Sequence, residues 1–95
     1  MSEKKLQAWV ASVCRQFGLL HYHTHDSRKS EEGFPDSVIV GPSRVLFREL
    51  KGKTGKLGPD QIVWRDTLLA AGADWALWRP ADMEDIVSEL KELQQ

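Results

Sequence analysis

Apolar residues recur at Leu6, Trp9, Val10, Val13, Cys14 and Phe17, the three-and-four spacing that lays one stripe along a helix, so the pattern predicts a helix from about Glu3 to Phe17. Gly18 stands where such a helix closes. Leu19 to His25 then reads as a strand, and the charged, glycine-containing stretch Asp26 to Phe34 as a loop. Two short apolar runs follow, Ser37 to Val40 and Val45 to Leu50, joined by Gly41-Pro42-Ser43, the punctuation of a hairpin. After a loop from Gly52 to Leu57, the chain places Gly58 as a cap, Pro59 at the first helical position and Gly72 past the last, a proline-first, glycine-last helix. Asp74 to Arg79 reads as a fourth strand. A closing helix from about Pro80 to Leu93 turns Met83, Ile86, Val87, Leu90 and Leu93 to one side. The order is helix, three strands, helix, strand, helix, which predicts an α/β domain with one sheet flanked by helices.

Ninety-five residues allow one such domain with one modest core. An apolar fraction of 41% with 28% charged residues is that of an ordinary globular chain, and no apolar run approaches the roughly 20 residues of a bilayer span. The opening Ser2-Glu3-Lys4-Lys5 lacks the basic-then-apolar layout of a secretory signal, so the expected location is intracellular and no membrane partner is expected. Cys14, the only cysteine, falls among helical core positions and reads as packing rather than as a nucleophile. The net charge of −1 hides an asymmetry: Arg28, Lys29, Arg44, Arg48, Lys51, Lys53, Lys56, Arg65 and Arg79 crowd the middle, and Asp82, Glu84, Asp85, Glu89 and Glu92 the tail. A basic middle permits a local phosphate-binding face, although scattered surface charge explains such a count as well.

The hairpin carries the candidate chemistry. With symmetry about Pro42-Ser43, paired residue numbers sum to 85, so that Val40 faces Val45, Val38 faces Phe47 and Asp36 faces Glu49. Directly opposed residues on antiparallel strands have Cβ atoms about 4.5–5.5 Å apart, where like charges destabilise unless something positive joins them. Lys51, two residues beyond Glu49, projects from the same face. Two acids and a lysine at the end of an apolar hairpin suit a hard divalent cation bound through oxygen, with the lysine meeting a phosphate or a water. The alternative is an exposed ion network, and a bulge of one residue would separate the two acids.

His21, His23 and His25 alternate on the first strand, which suggests a three-histidine zinc site. Same-face neighbours on a strand lie roughly 7 Å apart, so the three would span about 13–14 Å, too wide for one ion contacted at about 2 Å. A polar strand face bordering the site is the better reading, with His23, His25, Ser27 and Arg28 able to touch a phosphate. Gly52-Lys53-Thr54 resembles the end of a phosphate-binding loop, but that motif needs a glycine where Phe47 stands. Lys53 and Lys56 read instead as a basic loop able to contact a phosphate backbone, or as a solvated turn. Trp64 is open to stacking on a base or to use at an apolar dimer surface, whereas Trp9, Trp75 and Trp78 fall at core positions.

Gly33-Phe34-Pro35-Asp36, then Phe47-Arg48-Glu49-Leu50-Lys51, a Gly/Lys loop, Gln61 with Trp64, and Trp78-Arg79-Pro80 together resemble the PD-(D/E)XK nucleases, in particular the small stand-alone VRR-NUC domains of phages and prophages. The resemblance implies a restriction-endonuclease-like core with a mixed four-stranded sheet. It implies Asp36 and Glu49 as metal-ligating acids, the Leu50 carbonyl as a further ligand, Lys51 at the water or phosphate, and Gln61 beside them; Glu3 is the one match for an acid of the first helix. It implies Mg²⁺ or Mn²⁺, hydrolysis of DNA, branched or four-way-junction substrates read by backbone and shape, a homodimer, and the cytoplasm of a bacterial host. A DNA-binding accessory module that keeps the fold without catalysis is the competing expectation.

Overall fold

The computed structural model describes residues 1–24 and 30–95. It is a mixed α/β domain in which four strands form one sheet flanked by helices. Helix α1 spans Glu3–Gln16, strands β1, β2 and β3 span Leu20–His23, Ser37–Val40 and Val45–Leu50, helix α2 spans Pro59–Ala70, β4 spans Asp74–Trp78 and α3 spans Met83–Leu93. The strands lie in the order β1-β2-β3-β4, with β1–β2 and β2–β3 antiparallel and β3–β4 parallel. None of the helices among the described residues is long and apolar enough to cross a membrane.

Two of the helix ends follow from glycine. After α1, Gly18 adopts φ +69, its amide donates to the Arg15 carbonyl, and the Leu19 amide donates to that of Cys14. This paired termination is the Schellman arrangement, which a left-handed residue makes possible. Leu19 is therefore spent on ending the helix, and the first strand starts one residue later than its apolar run suggests. Gly72, at φ +84, ends α2 the same way, with Gly72 donating to Leu69 and Ala73 to Leu68. The closing helix also starts later than expected. Pro80–Asp82 form a 3-10 turn in which the Asp82 carboxylate accepts the Arg79 amide, and α-helical geometry begins at Met83. His25 and residues 26–29, including Ser27 and Arg28, lie outside the described residues.

The hairpin has the register that its symmetry predicts: Val40 pairs with Val45, Ile39 with Leu46, Val38 with Phe47 and Ser37 with Arg48. Paired residues share a face, so His21, His23, Ser37, Ile39, Leu46, Arg48, Leu50, Ala76 and Trp78 look to one side of the sheet. That side is closed by α1 and α3. Leu6, Val10, Val13 and Cys14 from α1 meet Ile39, Leu46, Leu50 and Trp78 from the sheet and Ile86, Leu90 and Leu93 from α3 in the core. At roughly 1.5–3 kcal/mol for each large side chain removed from water, this cluster supplies most of the drive to fold.

A charge sits inside that core. Arg48 is 1% exposed, between Leu46 and Leu50 on the buried face. Its guanidinium donates to the Asp74 carbonyl at 2.7 Å, to the Asp74 carboxylate at 2.9 Å and to Glu89, and lies 5.1 Å from the Trp78 ring centre. One side chain thereby ties β3 to β4 and α3.

Candidate active site

Glu49 projects from the opposite sheet face to Arg48 and is nevertheless 1% exposed. Its cover comes from α2. Gln61, in the first turn of that helix, donates from Nε2 to Glu49 Oε2 at 2.8 Å, while its Oε1 accepts the Gly58 amide at 2.9 Å. The same amide side chain thus caps α2 and fixes the carboxyl. Lys51 follows on the same face, with Nζ 3.9 Å from Glu49 Oε2 and a backbone amide bound to the Trp78 carbonyl.

Asp36 sits one residue before the β2 ladder begins. Its carboxylate Oδ2 accepts the Leu50 amide at 2.8 Å, and its carbonyl accepts the Thr24 amide at 2.9 Å. Thr24 also donates through its hydroxyl to the Pro35 carbonyl at 2.8 Å. These bonds hold Asp36 against the end of β3, where it faces Glu49 as the register requires. A strand residue directs its amide and its carbonyl to the same neighbouring strand, so the Leu50 carbonyl belongs to the side on which Asp36 stands.

Burial pushes the Glu49 carboxyl up to about 9, and the neighbouring charge of Asp36 pushes it the same way; Lys51 opposes both without overcoming them. Close acids that cannot both ionise mark a place where positive charge is wanted. Two carboxylates with a backbone carbonyl suit a hard cation that keeps several waters. Among the described residues no group of three or more His, Cys, Asp or Glu side chains is gathered. Glu3 is therefore not brought to the pair. It stands exposed in the first turn of α1, and its backbone nitrogen approaches Gly52.

A cleft of about 380 Å³ opens beside the pair, lined by Glu32, Gly33, Lys51, Lys56, Asp60 and Gln61 among others. Lys56 is exposed and stands in the wall of this cleft. Lys53 is exposed, with its carbonyl near the Arg79 guanidinium, which also donates to the Gly52 carbonyl at 2.7 Å. The loop over the cleft is held by Gly33, at φ +86, where a side-chain carbon would lie 2.4 Å from the Asp60 backbone. Trp64 fastens the same loop through its indole N–H, 3.1 Å from the Glu32 carbonyl, and an edge-on contact with Phe34.

Comparison with family models, with curated proteins and with solved structures finds no match. What the site can do therefore rests on its own geometry.

The histidines are placed differently from the cleft lining that the sequence suggests. His21 and His23 lie on the sheet face that α1 covers, opposite to Glu49. His21 Nε2 is 3.0 Å from the Ser37 hydroxyl, and His23 Nδ1 is 3.3 Å from the Asp36 carbonyl. Burial, then the charges of His23 and Arg15, lower the His21 pKa. Their ring centres are 6.3 Å apart, close to the strand repeat. His23 meets the site from behind, through the backbone of Asp36. Cys14 is fully buried in the core, which pushes its thiol up to about 11 and agrees with a packing role. The bonds of Thr24, Pro35 and Arg79 that brace the site carry no pattern in the sequence, because each pairs a side chain with a distant backbone carbonyl.

Proposed function

We propose that the chain is a Mg²⁺- or Mn²⁺-dependent DNA endonuclease with a restriction-endonuclease-like core, related to the VRR-NUC nucleases that its motifs resemble. The observation that carries this reading is the buried Glu49, facing Asp36 and held by Gln61, with Lys51 beside it at the mouth of a cleft. Asp36, Glu49 and the Leu50 carbonyl would hold the cation, which when bound would make a water more acidic and draw charge from a phosphoryl oxygen.

The chain's own residues supply the rest. The Leu50 amide holds the Asp36 carboxylate, and Gln61 holds that of Glu49, so both acids are positioned before substrate arrives. Lys51 offers an ammonium to the attacking water or to charge growing on the phosphate. Lys56 lines the same cleft and meets the DNA backbone; Lys53, and the undescribed His25, Ser27 and Arg28, are further candidates for phosphate contacts. No element among the described residues is shaped to read bases, so recognition of backbone and branched shape fits the site better than sequence reading. The expected assembly is a homodimer, since a four-way junction takes two cuts.

The test is cleavage of labelled four-way junction, splayed-arm and linear duplex DNA with Mg²⁺, Mn²⁺ or EDTA. Cutting that needs metal and falls by roughly 10²–10⁴ in Lys51→Ala, with DNA binding largely kept, is the expected result. Binding without cutting in the wild type, on every substrate, refutes the catalytic reading and leaves the accessory module.

A further inference from the structure

Arg44, Arg48 and Arg65 each meet a carboxylate, that of Asp74 for the first two and that of Asp66 for the third. Arg79, the residue after β4, meets none among the described residues. Its guanidinium donates through Nη1 alone, to the Gly52 carbonyl at 2.7 Å and the Lys53 carbonyl at 3.4 Å. Asp82 stands three residues on, but its carboxylate accepts the Arg79 backbone amide at 2.8 Å and not the guanidinium. The donors on Nε and Nη2 therefore have no partner among the described residues. Together they form the planar fork that receives two oxygens of one anion. Tying the loop to β4 requires only one donor, which a lysine would also supply. An arginine adds a fork that the tie holds in place.

Arg79 lines a pocket of about 190 Å³ together with Lys53, Pro80, Ala81 and Met1. Lys53 is exposed, and its ammonium has no ion pair among the described residues. No acidic side chain lines the pocket, whereas Glu32 and Asp60 line the cleft beside Glu49. The two share no lining residue, and the loop after β3 gives Lys51 and Lys56 to the cleft and Lys53 to the pocket. Sites for a whole small molecule run to roughly 300–1,000 Å³, so this one has room for a single anionic group and little more. A carboxylate has only the two oxygens that the fork takes. A phosphate has a further oxygen for the ammonium and more charge to set against two cations.

We propose that Arg79 and Lys53 form a phosphate-binding site, with the guanidinium fork on two oxygens and the ammonium on a third. A nucleic-acid strand and a free phosphate ester both carry this group, and the site recognises what they share. It does not rest on nuclease activity, since neither Asp36 nor Glu49 enters it.

Nuclear magnetic resonance of the full chain in EDTA tests it, by titration with inorganic phosphate, deoxyadenosine monophosphate, acetate and a short single-stranded DNA. The first two should shift the Arg79 Nε–H signal and the amides of Gly52 and Lys53, with saturation in the millimolar range; acetate should bind far more weakly. Arg79→Lys keeps the charge and a donor for Gly52 but lacks the fork, so it should weaken phosphate binding by about 10-fold. Lys53→Gln changes an exposed side chain whose contact with Arg79 runs through its backbone, so it should keep the circular dichroism of the fold and also weaken binding. Arg44→Gln, at the other end of β3, should change nothing. If a strand supplies the phosphate, the slope of log affinity for the DNA against log salt should fall by about 0.7 in Lys53→Gln; an unchanged slope with phosphate still bound assigns the site to a free ester. Absence of shifts at Arg79 and Lys53 with phosphate and with DNA overturns the proposal. So does acetate that binds as tightly as phosphate, or phosphate binding that survives Lys53→Gln and Arg79→Lys unweakened.

Discussion

Replacing Glu49 by glutamine should make the metal-free protein more stable at neutral pH while removing its proposed activity. The folded state holds the Glu49 carboxyl at about 9 against an ordinary value of 4.5, because burial and Asp36 both disfavour its charge. The native chain therefore keeps a proton that the unfolded chain has lost, and stability falls as pH rises from about 4.5 to about 9, then levels off. Near pH 7.5 the group is about three pH units above its ordinary value, which at about 1.4 kcal/mol per unit costs on the order of 4 kcal/mol. Glutamine is neutral at every pH, can accept the Gln61 N–H as Glu49 does, and can donate to Asp36 as the protonated acid would. Even half of the calculated cost would raise Tm by roughly 10 °C in a chain of this size. Thermal melts of wild type and Glu49→Gln in EDTA, from pH 4.5 to pH 9, measure it directly. The curves should meet at the acid end and separate with rising pH. A variant no more stable than the wild type near pH 8, or a wild type whose Tm does not fall across the window, would refute the assigned burial and pairing of Glu49. The stabilisation would also mark the usual conflict between a working site and a stable one.

Two further substitutions probe the frame around the site. Gly33→Ala places a carbon 2.4 Å from the Asp60 backbone at a φ of +86, so it should cost roughly 1–3 kcal/mol in urea denaturation and displace the loop held by Trp64, seen as a shift in tryptophan fluorescence; a cost below the error of the measurement would contradict that approach. Arg48→Ala empties the space of a buried side chain and undoes its bonds to Asp74 and Glu89, whose own carboxylates stay partly exposed, so it should cost roughly 2–4 kcal/mol, mostly from the cavity, whereas a loss under about 1 kcal/mol would show that the guanidinium network adds nothing to the fold.

Most of the fold was legible because its elements carry local punctuation. The hairpin register follows from the Gly41-Pro42-Ser43 turn and the alternation around it; its last pair, Ser37 with Arg48, stops one step short of Asp36 and Glu49, whose carboxyl groups meet beyond the end of the ladder. Gly18, Gly58, Pro59 and Gly72 mark helix ends where the structure has them. Element starts were less clear: Leu19 is apolar in either role, and only the bond from its amide to Cys14 shows that it ends a helix. The partners of Arg48 were not legible, since Glu89 lies 41 residues away. Its position between Leu46 and Leu50 did demand a partner, because an alternating strand puts all three on the buried face. For the histidines, alternation showed that they share a face but not which one. That depends on α1 covering the side shared by His21 and Ile39, a tertiary choice that no local pattern records.

The two helices that close the core, residues 3–16 and 83–93, stand at opposite ends of the described chain, while Asp36, Glu49, Lys51 and Gln61 fall in one stretch between them. During synthesis the hairpin and α2 leave the ribosome well before α3 does. Until then Ile39, Leu46 and Leu50 have only α1 to cover them, and Arg48 lacks Glu89. The nascent chain thus carries all the proposed chemical groups before it can hold them in place, and co-translational folding should finish in one late step when α3 docks.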